Sequence, residues 1–428
     1  MPPSEQGRAR RLLDDCFLHD KDRMRHHEAL DLLKNRLAPL ADSETLPLDQ
    51  AAGRILAENV LSRRNVPPAD NSAVDGYAFA HADYLAKEGH LPVTARIAAG
   101  DAPAGPLEAG SAVRIFTGAT MPDGADTVAM QEDCRIQDDG GAVTIPPGLK
   151  PGANRRKAGE DLRQGDTIAT AATLLTPQHI ASIASAGFGE IPVFGRLRIA
   201  LVSGGNELVE PGNPARDGQI YDTNRHMLKA LLAGMPVEVS DLGILPDDPA
   251  IIGKTLSGAA QGHHAIISSG GTSRGEEDHI VATLDGIGKR HLWQLAVKPG
   301  RPMSFGQIDD CVFFGLPGNP VACMVCFLLY IRPALLRLGG ADWQEPMRFP
   351  LPAGFDIAKK KSGRREFWRG KVVPDDKGKP RLEKFARDGS GLISGLWQSG
   401  GLIEVGEDVT AVSQGDLLDF IPWSEFGI

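Results

Sequence analysis

Between residues 196 and 340, apolar runs that end in glycine alternate with segments of helical periodicity, and this pattern constrains the chain more than any other. The run Arg198–Ser203 closes on Gly204-Gly205. A helix is predicted over Arg225–Ala233, a strand over Val237–Leu242 and a helix over Pro249–Ala260. A strand over Ala265–Ser269 then closes on Gly270-Gly271. Strands and helices alternating at this spacing make a parallel, doubly wound sheet. Ligands of such sheets bind beyond the C-terminal strand ends. Chemistry is therefore expected in the loops that begin at Ser203, Leu245, Ser269 and Gly315.

At 428 residues the chain has room for roughly three domains at ~150 residues each. Its 50 glycines and 31 prolines exceed the usual ~12 % share of these two residues without any strict period, which reads as many tight loops between short elements. Residues 1–22 are charged, lack apolar periodicity and read as a mobile extension. Leu30, Leu33, Leu37 and Leu40 form one helix face, which Pro39 bends or ends. Residues 23–62 are grouped with 151–195, where a helix is expected from Pro177, as a helical linker domain. Residues 63–150 carry strand-like runs at Val93–Ile97, Ala112–Phe116, Thr127–Met130 and Val143–Ile145, and read as a β-rich domain. The doubly wound domain spans 196–343. Residues 344–428, with runs at Phe367–Val373, Leu402–Val405, Val409–Val412 and Leu417–Ile421, read as a small β-barrel. The fold class is thus α/β multidomain.

The formal charge of −9 opposes general binding to nucleic acid or to an anionic membrane. Five scattered cysteines, Cys16, Cys134, Cys311, Cys323 and Cys326, do not form a disulfide framework and suit a reducing, cytoplasmic setting. No apolar stretch follows the N-terminal arginines, so a secretory leader is not expected. The most apolar run, Val321–Ile331, stops at Arg332-Pro333 and is too short to span a bilayer, which needs ~20 residues; it reads as a buried core helix.

Several common motifs fail. Gly253-Lys254-Thr255 lacks the leading glycine of a phosphate loop, because position 248 is Asp. No dinucleotide fingerprint follows a strand. Cys323 and Cys326 form C-x-x-C within an apolar helix and have no second pair, so they read as buried small hydrophobes. Gly271-Thr-Ser273-Arg-Gly275 matches the nucleophile elbow of serine hydrolases. However, Ser269, Gly270 and Gly271 separate Ser273 from its strand, and no triad order is evident, so a hydrolase using Ser273 is a distant alternative.

The acidic loop ends say more. Glu207, Asp247-Asp248 and Glu276-Glu277-Asp278 all follow strands of one sheet. Carboxylates converging on one edge repel unless a cation sits among them, and hard oxygen donors suit Mg²⁺. Helix capping is the competing reading, and Asp247 or Asp248 before Pro249 fits it. The glycine-rich strand ends at Ser203, Ser268 and Gly315 can cradle an anion with backbone N–H groups, and Lys298-Pro-Gly-Arg301 adds two cations. A phosphate or oxyanion ligand held with a divalent metal follows. The run Lys359–Arg369, six cations in eleven residues, reads as an anion subsite.

As an ordered set, certain strings resemble the MoeA family of molybdopterin molybdenumtransferases, which are similar to the E domain of gephyrin. They are Ser72-Ala-Val-Asp75-Gly-Tyr-Ala, Thr117-Gly-Ala-x-x-Pro-x-Gly-Ala-Asp126, Gly159-Glu-Asp161, Ile220-Tyr-Asp-Thr-Asn224, Lys298-Pro-Gly-x-Pro302, Gly315-Leu-Pro-Gly-Asn319-Pro320, Gly363-Arg-x-x-Phe-x-Arg369-Gly and the loop from Ser269 to Asp278. The resemblance runs from about residue 23 to the C-terminus. It implies an enzyme, a transferase that takes adenylylated molybdopterin and molybdate and releases molybdenum cofactor and AMP with Mg²⁺ or a similar ion. It further implies a cytoplasmic homodimer whose site is shared between subunits, with a molybdopterin adenylyltransferase as substrate donor.

By the same resemblance, Glu207, Asp247, Asp278 and Lys298 are catalytic, and the three acids are metal ligands. Ser269, Gly270, Gly271, Arg301, Pro317, Asn319, Pro320, Arg369 and Ser390 bind cofactor, and Asp75, Thr117 and Asp161 act from the partner-subunit side and nearby. The chain departs from the family where Ser203-Gly-Gly-Asn206-Glu207 replaces Ser-Thr-Gly-Asp-Glu, and where Gln294 and Arg301 replace lysines. A catalytically weakened molybdopterin-binding or scaffold homologue is the alternative that these departures raise.

Overall fold

The computed structural model describes residues 23–270 and 279–428. The extension expected over 1–22, together with Gly271, Ser273 and the acidic triplet ending at Asp278, lies outside the described residues.

Six strands form the central sheet, in the order Val237–Leu245, Leu197–Gly204, Ala265–Ser269, Cys311–Leu316, Pro302–Ile308 and Lys289–Gln294. The first four run parallel, and the last two are joined antiparallel. Successive residues of the central strands alternate between two cores. Ile199, Leu201, Ile267 and Phe314 enter one, with the long C-terminal helix of this unit. Ala200, Val202, Ile266 and Phe313 enter the other, with Ile252, Leu256 and Leu284 from the opposite helical layer. Burial on both faces is why these strands read as unbroken apolar runs. Leu197–Gly204 lies between the strand that follows it in sequence and Ala265–Ser269, so the winding reverses at its C-terminal end. Such a reversal opens a crevice.

The apolar run extends further than its sequence suggests. One helical run covers Pro320–Leu338, nineteen residues, and 89 % of its most apolar stretch is buried. Arg332-Pro333 does not end it, because the preceding turn, Phe327–Ile331, is π-helical and Pro333 sits in the first turn of Arg332–Leu338. The wider turn accommodates a residue that has no N–H to donate. By length and composition this helix could cross a membrane; here it is the core on which the sheet and the helix His26–Arg36 pack.

The segments around it come from distant parts of the sequence. Ser43–Pro47 pairs antiparallel with Glu190–Phe194, and Val60–Leu61 with Thr167–Ala169, around a core that includes Leu56, Ile183 and Val193. A second six-stranded sheet has the order Thr127–Met130, Gly76–Phe79, Ala112–Ile115, His90–Ile97, Ala142–Thr144 and Arg135–Gln137. Gly76 is required there: a Cβ would lie 1.8 Å from the carbonyl oxygen of Ala129 on the neighbouring strand.

The C-terminal sheet joins Phe349–Pro352, Leu417–Pro422, Gly401–Val405 and Arg365–Pro374, and the last of these also pairs with Pro380–Lys384. A bridge from Leu382 back to Ala353 closes the circle into a small barrel. The run Val409–Val412 is not a strand; only Val412 bridges, to Ile357.

Phe314 is fully buried in the central sheet and packs 5.4 Å, centroid to centroid, from Phe305 on the adjacent strand. Replacing it by Ala should cost about 3–5 kcal/mol, the transfer and cavity terms together. Urea unfolding followed by tryptophan fluorescence should show a lowered midpoint of that size.

Candidate active site

A cavity of about 660 Å³ opens at the switch point. Its floor is the C-terminal ends of three parallel strands: Gly204, Ser269-Gly270 and Pro317-Gly318. Gly270 adopts φ +82°, and a Cβ there would come within 2.8 Å of the Gly204 carbonyl oxygen, so the strand ends approach this closely only as glycine. Gly204 is constrained as well, since a Cβ would meet Ile280 Cδ1 at 2.4 Å. The departure from the family string at this position therefore coincides with the packing of Ile280.

Two helix N-termini face the cavity. Asp222, Thr223 and Asn224 begin the helix Thr223–Ala233, and Asn319 through Ala322 begin the long core helix. Exposed N–H groups and the positive end of the helix dipole favour an anion there. Asn224 Nδ2 donates to the Gly318 carbonyl at 2.7 Å and ties the two helix starts together.

The remaining wall comes from Lys298-Pro-Gly-Arg301 and from the barrel: Trp368, Arg369, Lys384, Phe385, Arg387, Asp388 and Ser390. Lys298 is half-buried, its side chain 41 % exposed, and among the described residues it lies 3.8 Å from the Glu366 carboxylate. Arg369 is buried, and its Nη atoms donate to the carbonyls of Leu392 (2.7 Å), Arg387 (2.8 Å) and Gly389 (3.1 Å). Its guanidinium thus holds the loop that carries Ser390. Burial raises the Asp388 carboxyl, but the Lys384 ammonium bonded to it outweighs this and holds it below the ordinary range.

Of the residues singled out from sequence, Glu207, Ser269, Gly270, Lys298, Arg301, Pro317, Asn319, Pro320, Arg369 and Ser390 line this one cavity. Asp247 does not. Its Oδ2 accepts the Asn206 N–H at 2.9 Å, and its own N–H donates to Asn206 Oδ1 at 3.2 Å, a reciprocal clasp that fixes the loop carrying Glu207. The adjacent Asp248 is the helix cap, accepting from the N–H groups of Ala250 and Ile251 at 2.8 and 3.2 Å. Among the described residues no three His, Cys, Asp or Glu side chains gather at one point. Glu207 and Asp247 therefore do not complete a metal cage between them, and Gly271 and Asp278 lie outside the described residues.

Asp75, Thr117 and Asp161 are also absent from this cavity's lining. Asp75 Oδ1 accepts both the N–H and the hydroxyl of Thr117, at 2.8 and 2.7 Å, in an exposed pair on the β-rich sheet. These two hydrogen bonds hold the Asp75 carboxyl below its ordinary range. Asp161 is exposed, and its N–H donates to the Val66 carbonyl at 3.1 Å. Cys323 and Cys326 are fully buried; burial pushes the Cys326 thiol up to about 12 and the Cys323 thiol higher, so both are inert.

The three parts of the chain match three family descriptions: MoeA N-terminal region (domain I and II) over residues 24–187, probable molybdopterin binding domain over 200–337, and MoeA C-terminal region (domain IV) over 351–423. The chain belongs to the MoeA family. Among its relatives is a molybdopterin molybdenumtransferase of Haemophilus influenzae, 38 % identical over 383 residues that cover 89 % of this chain and 94 % of that protein. Molybdopterin molybdenumtransferase 2 of Mycobacterium tuberculosis is 33 % identical over 387 residues, covering 87 % and 93 %. The crystal structure of the molybdopterin biosynthesis MoeA protein from Pyrococcus horikoshii superposes with a TM-score of 0.76 at 28 % identity, over 94 % of this chain and all of that one.

Behind the cavity, Asp222 is held by a buried guanidinium. Arg225 Nε donates to Asp222 Oδ2 at 3.0 Å, and Arg225 Nη1 to Asp241 at 2.5 and 2.6 Å. Burial raises the Asp241 carboxyl, but hydrogen bonds from Lys229 and then Arg225 outweigh it and bring the carboxyl down to about 2 from 3.8. A depressed carboxyl stabilises the fold fully above its unfolded value and loses that contribution as pH falls through its folded value. Asp241→Asn should therefore lower stability by on the order of 1–2 kcal/mol at pH 7. The gap between wild type and variant should close between about pH 4 and pH 2, as read from urea midpoints across that range.

Proposed function

We propose that this chain inserts molybdenum into molybdopterin, converting molybdate and adenylylated molybdopterin into molybdenum cofactor and AMP. One observation carries the reading: a single cavity at the switch point combines two helix N-termini with Lys298 and Arg301, in a volume suited to a nucleotide-sized ligand. The helix starts at Thr223 and Pro320 and the backbone of Ser269-Gly270 bind and orient phosphate oxygens. Lys298 supplies a mobile positive charge where the leaving phosphate gathers negative charge. Arg369 positions the Ser390 loop through its carbonyl contacts, and Asp247 positions Glu207 through Asn206.

Mg²⁺ is part of this proposal. Glu207 would offer the hard oxygen donors that Mg²⁺ prefers, and Asp278, which the family resemblance implies, would be the second ligand; Asp247 would hold the Glu207 loop through Asn206. When bound, the ion would supply charge neutralisation at the phosphate that leaves with AMP. We further propose that the enzyme works in the cytoplasm as a homodimer, receiving adenylylated pterin from a molybdopterin adenylyltransferase. The exposed Asp75–Thr117 pair, which this subunit's own cavity does not use, supports a contribution to the partner's site.

AMP release measured with adenylylated molybdopterin and Mg²⁺ should depend on added molybdate; AMP release that ignores molybdate, or none, would reject the reading. Glu207→Gln should raise the Mg²⁺ concentration for half-maximal release by about tenfold or more, the equivalent of ~1.4 kcal/mol, and an unchanged Mg²⁺ dependence would remove Glu207 from the metal.

The shared site has its own test. Asp75→Ala and Lys298→Ala should each be inactive alone. After subunit exchange, a heterodimer holds one site with both lesions and one with neither, so activity should return. Exchange proven by mass spectrometry without recovered activity would place both residues in one site of one subunit.

A further inference from the structure

Glu207 reaches the large cavity from a loop, residues 205–219, that leaves the strand Leu197–Gly204 and returns at Ile220. Its carboxylate lies against Gly205 (φ +142°), where any Cβ would collide with it. The loop's own pairing is slight. Leu208–Val209 makes a two-residue parallel ladder with Ile220–Tyr221, in which the Ile220 N–H donates to the Glu207 carbonyl at 2.8 Å and the Asp222 N–H to the Val209 carbonyl at 3.0 Å. Two strands this short are marginal by themselves. After Glu210 the chain turns, with the Asn213 N–H on the Glu210 carbonyl at 3.1 Å, and residues 211–218 are all exposed.

Side chains hold this loop at both ends of the segment that bears Glu207. Upstream is the clasp between Asn206 and Asp247. Downstream, Glu210 Oε2 accepts from Arg225 Nη2, and Glu210 Oε1 faces His226 Nε2 at 3.1 Å. Arg225 is only 3 % exposed, and its Nε and Nη1 are taken by Asp222 and Asp241. Glu210 thus fills the last side of the fork, and three carboxylates meet on one guanidinium: from the helix cap, from the edge strand Val237–Leu245 and from the loop. A buried guanidinium with an empty donor is unfavourable, and its rigid fork fixes direction as well as distance. Asp222, on the same guanidinium, caps the helix whose N-terminus faces the cavity. One buried cation therefore sets the Glu207 loop and that helix start relative to each other. Glu210 itself does not line the cavity, so any effect it has on a ligand passes through the loop.

We propose that Glu210 is a positioning residue: through Arg225 it anchors the loop that aims Glu207 into the cavity, and so sets the affinity for the divalent ion and not the rate once the ion is bound. The inference rests on the metal role proposed above for Glu207.

The test uses the full chain carrying Glu210→Ala and makes two measurements. The first needs no substrate: hydrogen–deuterium exchange, read by mass spectrometry on peptides spanning residues 205–222. Loss of a charge-assisted hydrogen bond should speed exchange there by about tenfold, while the strands Ala265–Ser269 and Cys311–Leu316 keep their protection. Unchanged exchange would overturn the anchor, whatever reaction the chain catalyses. The second is the Mg²⁺ dependence of AMP release. Glu210→Ala should raise the half-maximal Mg²⁺ concentration by about three- to tenfold and leave the rate at saturating Mg²⁺ unchanged. A rate lowered equally at every Mg²⁺ concentration would show a merely structural role and overturn the positioning. Glu207→Gln/Glu210→Ala should match Glu207→Gln alone, because without that carboxylate the anchor has nothing left to aim; effects that multiply would overturn the proposal. Should Glu210→Ala fold poorly, Glu210→Gln keeps an acceptor oxygen for Arg225 and should shift both measurements in the same direction by less. A wild-type chain that releases no AMP would reject the proposed function, and the exchange measurement would still decide the anchor, so the two failures are distinct.

Discussion

A buried carboxylate, Glu366, holds the site of this molecule together. It is 3 % exposed, accepts hydrogen bonds from Arg364 and Trp368, and lies 3.8 Å from Lys298. A charge in that position is tolerable only with its lone pairs filled. The groups that fill them come from the barrel, and the one they share it with comes from the turn after the central sheet. Arg365–Glu366 also forms the parallel ladder with Val297–Lys298. Two structural units, one a doubly wound sheet and the other a small barrel, are thereby fixed at a single angle. Without that fixed angle there would be strand ends and a barrel loop, but no cavity between them.

The chain as a whole is acidic, at −9, yet its main cavity is built to hold an anion. Local arrangement decides this, because potentials near a wall are set by the nearest charges and dipoles and the rest is screened within a Debye length. Asp222, which lines the cavity, is matched by Arg225, and Asp388 is matched by Lys384. With those acids paired, Glu207 is the remaining acid of the lining, set against the two helix N-termini and Lys298.

Much of the architecture could be read from sequence because it follows from burial. The three inner parallel strands are buried on both faces and so are written as apolar runs that end in glycine-containing turns, whereas the edge strand Val237–Leu245 is largely exposed. Where the determining contact is remote, the pattern failed. Val409–Val412 has the composition of a strand but meets a partner only at Val412. Gly76–Phe79 is a central strand that begins in a turn-like string, because the requirement at Gly76 comes from the Ala129 carbonyl, fifty-three residues away in sequence. The two helix starts, in Ile220–Asn224 and Gly315–Pro320, were visible as motifs, but Lys384, Phe385 and Asp388 were not. They belong to the end of a barrel hairpin and the loop after it, and only the closing of the barrel against the central sheet brings them to the cavity. Asp247, expected as a metal ligand, has one carboxylate oxygen engaged by the Asn206 N–H, a contact that its position after a strand does not reveal.

The cations around the cavity divide into two kinds, and the division bears on catalysis. Arg369 has its Nη donors committed to three carbonyls, so its position is fixed and its hydrogen bonds are already made before any ligand arrives. A group of that kind holds a loop still and adds a fixed, preorganised positive charge to the cavity it lines. Lys298 is half-buried and lies 3.8 Å from the Glu366 carboxylate, beyond a good hydrogen bond. Its interaction is free to strengthen as negative charge develops on a ligand, and only interactions that strengthen in this way lower a barrier. A planar, always charged guanidinium suits the first task and a compact ammonium on a flexible stem suits the second. The fold puts each where its chemistry is useful: Arg369 in the barrel wall, and Lys298 in the turn at the cavity's edge.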